Sequence, residues 1–165
     1  MVRYSQEECG RFMSNKEYPF LHNYRPQQGA EGGFFLDDED GLPFDMEGYA
    51  GVYIIETGDK FRFPYPSGQS GVIYIGKADE LRSRLQDHRH MLMKLQADKD
   101  FGMAANEPWV SSRYQYMLKH QARVYYFKCR GKQEAKEEES RIMWAFYQKY
   151  RSLPVGNGAK SYSKY

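Results

Sequence analysis

Apolar and polar residues follow two regimes along this chain. Over residues 1–49 no period is sustained. A short helix is predicted over residues 5–14, with Ser5 as N-cap and Glu8 three residues on. The Gly-, Pro-, Asn- and aromatic-rich stretch after it predicts an extended arm or loop. From residue 51 the pattern becomes regular. GVYIIE (residues 51–56) is a β-branched and aromatic run, hence a strand. Residues 57–71 predict a long hairpin connection, and VIYIG (residues 72–76) the next strand. A helix is predicted from Asp79 as its cap, because Leu81, Leu85, His88, Leu92 and Leu95 fall at helical spacing on one face. Residues 98–108 break it, and a second helix is predicted over residues 110–120. ARVYYFKC (residues 122–129) reads as a third strand and residues 134–150 as a helix. Pro154, Gly156 and Gly158 open a loop, and the tail SYSKY is expected to fray. The order β-β-α-(α)-β-α predicts a small α/β domain, a three-stranded sheet flanked by helices. Residues 1–49 form an arm too short for a core of its own. Residues 50–165 form one domain with an insertion at about 98–120.

Length and composition narrow the class. The chain of 165 residues suits one domain. It has no apolar run near the roughly 20 residues that span a bilayer. No apolar segment follows a basic start, so the expectation is a cytoplasmic protein without a secretory signal. Cys9 and Cys129 are far apart and no CxxC spacing exists, so neither a disulfide framework nor structural zinc is expected. The formal charge is only +2, but it is unevenly spread. Residues 1–50 hold 4 Lys/Arg against 10 Asp/Glu, and residues 51–165 hold 20 against 12. A basic body behind an acidic arm is the footprint of a phosphate-binding surface.

The candidate chemistry lies on the first two strands and the helix after them. Each strand carries a Tyr beside a Gly, as Gly51-Val52-Tyr53 and Tyr74-Ile75-Gly76. Ten residues beyond Tyr74 comes Arg84, and four beyond that His88, so guanidinium and imidazole share a helix face. An Arg and a His on the side that faces a sheet need a polar reason to be there.

GVY followed by YIGKADELRSRLQDH resembles the GIY-YIG nuclease superfamily. The resemblance covers residues 51–158 and implies roles for matching positions. Tyr53 and Tyr74 match the motif tyrosines, Arg84 the catalytic arginine and His88 the helix histidine. Among Glu137, Glu138 and Glu139, only Glu139 precedes two apolar residues, Ile142 and Met143, at the implied offsets, so it is the expected metal ligand. Glu137 and Glu138 are expected to be solvated at the helix start. Asn157 resembles the Pro-x-x-Asn ending of the family. The resemblance further implies one Mg²⁺ (or Mn²⁺) per site and hydrolysis of phosphodiester bonds. In that reaction Tyr53 activates water, Arg84 stabilises the phosphate and Glu139 holds the ion. A tyrosine of ordinary pKa, about 10, needs a cation nearby to act as a base, and Lys77 and His88 are the candidates.

The expected partner is DNA, double-stranded. In WVSSRYQYMLKHQAR, basic residues interleave with Trp109, Tyr114 and Tyr116, which suits a groove that follows phosphate and sugar. Arg82, Arg113, Lys119 and Arg123 are the candidate contacts. A compact enzyme without an added DNA-binding domain fits a restriction-type or phage-encoded nuclease. The alternatives are a homing or repair-type nuclease and a non-catalytic nucleic-acid-binding module on the same fold. One active site cuts one strand, so a double-strand break requires a homodimer or sequential nicks.

Overall fold

A strand with one face in water buries every second residue, whereas AGVYIIE is buried at every position but its last. Such a strand needs a layer on both sides, and the fold supplies one on each. The computed structural model describes residues 31–38, 41–97 and 108–158. The elements run β1 (Glu31–Phe35), a 3-10 turn (Phe44–Met46), β2 (Ala50–Glu56), β3 (Phe63–Tyr65), β4 (Gly68–Ser70), β5 (Val72–Ala78), α1 (Leu81–Ala97), α2 (Pro108–Lys119), β6 (Arg123–Cys129) and α3 (Lys132–Tyr150). Four strands form an antiparallel sheet in the order β1-β6-β2-β5, and β3 and β4 form a separate two-stranded ribbon.

Alternation along β2 divides the core. Val52 and Ile54 pack with Phe127, Ile142, Met143 and Phe146, which places α3 on one face. Tyr53 and Ile55 pack with Leu81, Leu85, Leu92, Tyr114 and Met117, which places α1 and α2 on the other. Val52, Ile54, Ile55 and Leu85 are fully buried, and each contributes about 1.5–3 kcal/mol relative to exposure. Gly51 serves the α1 packing. A Cβ there would lie 2.2 Å from the Phe127 carbonyl and 2.6 Å from Leu81, so only a glycine lets the start of α1 close on the sheet.

The α/β class expected from sequence holds, but the sheet has four strands rather than three. EGGFF carries two glycines and no β-branched residue, so side-chain pattern does not announce β1. Its backbone nonetheless pairs with β6, from Glu31 opposite Tyr126 to Phe35 opposite Arg123. The residues after it are core rather than arm: Leu36 and Met46 are fully buried. Asp45 holds this segment in place, accepting from the Tyr126 hydroxyl at 2.8 and 2.9 Å and pairing with Lys128 at 2.9 Å. The helix expected over residues 5–14, Cys9, most of the 98–108 break and the SYSKY tail lie outside the described residues.

The cap of α1 is Glu80, not Asp79. Glu80 accepts from the backbone N–H of Arg82 and Ser83, and its longer side chain also reaches the N–H of Gly48 at 3.2 Å. Asp79 instead pairs with Lys132 at 2.8 Å, tying the start of α1 to the start of α3. Among the described residues no helix is long and apolar enough to cross a membrane.

Candidate active site

Tyr53 pairs with Gly76 across the β2–β5 ladder, so side chains at 53, 74 and 76 share the face that α1 covers. Gly76 leaves room for both rings. A Cβ there would meet Tyr74 at 2.6 Å and the Tyr53 hydroxyl at 2.7 Å. The ring centroids of Tyr53 and Tyr74 are 5.9 Å apart, and His88 stands 5.4 Å from the first and 5.6 Å from the second. Two motif tyrosines and the helix histidine therefore converge.

Hydrogen bonds order this group. The Tyr53 hydroxyl lies 2.8 Å from His88 Nε2, and His88 Nδ1 lies 2.9 Å from the Tyr114 hydroxyl. Tyr53 and His88 are wholly buried. Arg84 stands beside Tyr53 and interacts with its phenol oxygen, while also lying 3.8 Å from Asp87. A guanidinium only donates, so the Tyr53 proton finds an acceptor here only when His88 Nε2 carries the lone pair.

Both partners are neutral at rest. Burial pushes the Tyr53 phenol well above its ordinary value, Tyr74 adds to this, and Arg84 opposes it. Burial also pulls His88 down to about 3, helped by the positive charges of Arg84 and Arg113. The side chain of Arg84 is 44% exposed, so of this group it is the one that presents charge to solvent.

Arg113 and Tyr114 belong here, although their sequence context suggested a DNA-facing surface. Arg113 is buried, with its guanidinium 4.1 Å above the Tyr74 ring and Nε donating to the Gly156 carbonyl at 2.7 Å. It braces Tyr74 and is no surface contact. The sequence places Tyr114 among the aromatics of a phosphate-following groove, and nothing in its context announces that α1 lies across from it.

Other expected residues fall elsewhere. Lys77 pairs with Val52 in the ladder, which turns it to the α3 face, away from Tyr53. The cation beside Tyr53 is Arg84. Glu138 is not solvated; it is 3% exposed and pairs with Arg141 at 2.6 Å. Glu139 is half-buried and continues the α3 stripe of Met143, Phe146 and Tyr150. That stripe packs on the face of Val52 and Ile54, opposite the face of Tyr53 and His88, so the structure does not bring Glu139 into the tyrosine cluster. The Asn157 side chain is committed to the edge strand: Oδ1 accepts from Ile75 N–H at 3.0 Å and Nδ2 donates to Ile75 C=O at 2.8 Å. Arg82 stacks on Phe44 at 4.6 Å and lies 3.8 Å from Glu47. Lys119 is exposed, and Arg123 sits opposite Glu56 at the far end of β2.

The donor chemistry suits a hard cation at Glu139. Mg²⁺ keeps several waters and needs only one or two carboxylates, and Glu139 offers one with solvent access. Among the described residues no group of three or more His, Cys, Asp or Glu side chains gathers into a closed metal cage. No family model, curated protein or solved structure matches the chain.

Proposed function

We propose that this chain is a phosphodiesterase of the GIY-YIG type, an endonuclease acting on double-stranded DNA. The observation that carries the reading is the buried Tyr53–His88 hydrogen bond beside the half-exposed guanidinium of Arg84. A proton acceptor backed by a second acceptor, next to a forked anion binder, is what in-line attack of water on a phosphodiester requires.

The steps follow from the hydrogen bonds. A phosphodiester oxygen pairs with Arg84, whose fork holds it bidentately. The Tyr53 oxygen is sealed at rest beside Arg84, so the next step requires that phosphate binding draw the guanidinium off it and admit a water. That water gives a proton to the Tyr53 oxygen while Tyr53 passes its own to His88 Nε2, and the resulting hydroxide adds to phosphorus. At rest the Arg84 charge helps to keep His88 unprotonated. The bound anion offsets that charge and raises the affinity of His88 for the proton at the moment it is needed. Glu139 is the residue that would hold Mg²⁺ (or Mn²⁺), which when bound polarises the phosphate and eases departure of the leaving oxygen.

The test is incubation with plasmid, linear duplex and single-stranded DNA in Mg²⁺, followed by end sequencing. Arg84→Ala and Glu139→Ala are expected to lower cleavage at least about 100-fold while leaving DNA binding within a fewfold. DNA bound without cleavage by the wild-type chain would favour a binding module. Cleavage that survives Glu139→Ala would remove the metal assignment.

A further inference from the structure

We infer that Tyr114 is a positioning residue that locks the tautomer of His88, and through it the direction in which Tyr53 points its proton. The inference rests on the nuclease reading only for its effect on rate; the tautomer stands on geometry. A neutral imidazole has one N–H and one lone pair. Tyr53 and Tyr114 flank the ring at 2.8 and 2.9 Å, one on each nitrogen, so two arrangements exist. In one, Nδ1–H donates to Tyr114 while Tyr53 donates to Nε2. In the other, Tyr114 donates to Nδ1 while Nε2–H donates to Tyr53.

The second arrangement leaves the Tyr53 proton without an acceptor. Its oxygen would receive from His88 and face Arg84, which is also a donor, in a residue with no solvent exposure. An unsatisfied buried hydroxyl is costly. The first arrangement satisfies Tyr53, which gives to Nε2, and moves the unplaced phenol proton to Tyr114, which at 6% exposure lies nearer to solvent than the fully buried Tyr53. It requires an acceptor at Nδ1, and the Tyr114 hydroxyl is the group there. Burial also pushes the Tyr114 phenol upward in pKa, so it stays a neutral hydroxyl. The α1–α2 contact is thereby part of the catalytic apparatus, although Tyr114 touches no reacting atom.

The protein holds only 4 histidines, so the ring nitrogens of His88 can be assigned by long-range ¹H–¹⁵N NMR on the full chain. Expected in the wild type is a single Nδ1–H tautomer. In Tyr114→Phe the Nδ1–H loses its acceptor, and the ring is expected to shift about tenfold towards the Nε2–H form. The accompanying change is about a tenfold lower kcat, with KM within about twofold. A wild-type ring in the Nε2–H form overturns the proposal without any variant, which covers the case of Tyr114→Phe misfolding. An unchanged tautomer in Tyr114→Phe overturns it too, as does a shifted tautomer at unchanged kcat. If the wild type cuts no substrate, the nuclease reading fails, and the two tautomer measurements still decide the positioning role.

Discussion

Tyr53→Phe separates stability from chemistry at a single atom. The substitution keeps the ring, its packing on Tyr74 and His88, and the space that Gly76 leaves for it. It removes one hydroxyl from a fully buried position. His88 Nε2 then loses the proton it accepts at 2.8 Å, and a buried acceptor left unpaired costs about 1–3 kcal/mol. With about 2 kcal/mol as the central figure, a chain of this length should lose about 4–8 °C in Tm. If Tyr53 is the proposed proton acceptor, the rate should fall further, by about 100- to 10,000-fold. Differential scanning calorimetry and cleavage of a labelled duplex, on the same preparation, read the two effects. A Tm within about 1 °C of wild type would refute the argument that His88 depends on Tyr53 for a hydrogen-bond partner. A cleavage rate within threefold of wild type would refute the role of the Tyr53 oxygen.

Two more predictions concern stability. The folded-state pKa of His88 is held near 3 against 6.5 in an unfolded chain, so between these values the unfolded state binds more protons. Stability from His88 is therefore lost as pH falls from 6.5 towards 3, at up to about 1.4 kcal/mol per pH unit. Glu56 acts in the opposite sense: burial raises its carboxyl from 4.5 to about 7 against the pull of Arg62 and Arg123, so its contribution is lost as pH rises from 4.5 to 7. The two slopes oppose each other between pH 4.5 and 6.5, where urea denaturation of the wild type should give a nearly flat profile. Glu56→Gln should expose a rising slope there, and a Glu56→Gln profile that stays flat would contradict it. Asn157→Ala removes two hydrogen bonds to Ile75, at 3.0 and 2.8 Å, and should cost about 2–3 kcal/mol. Chemical denaturation reads this, and a loss under about 0.5 kcal/mol would show that water replaces the amide without cost.

Much of the site could be read from the chain because its signals are local. The run from Val52 to Ile55 and the apolar stripe of α1 fix two elements, and the i, i+4 spacing of Arg84 and His88 places both beside Tyr53. The expectation of Lys77 as a cation beside Tyr53 goes against the alternation in β5, which puts Lys77 and Tyr74 on opposite faces. What escaped was non-local. β1 is held by backbone pairing in which Gly32 takes part, and Glu80 caps α1 partly because Gly48 lies near. Helical periodicity gives Tyr114 and Arg113 a face but not a neighbour. Their contacts with His88, Tyr74 and Gly156 join segments 26 or more residues apart.

The clasp of Asn157 on Ile75 bears on when the site is completed during synthesis. The two residues are 82 positions apart, so the ribosome makes Tyr53, Tyr74, Arg84 and His88 long before the residue that closes the edge beside them. Gly156, whose carbonyl fixes Arg113 over Tyr74, is made just as late. A nascent chain can pair β2 with β5 and dock α1 on them, yet its Tyr74 lacks the final brace until residues 156 and 157 emerge. Order of manufacture thus sets the timing of alignment: the growing polypeptide carries its chemical groups early and acquires their final arrangement late.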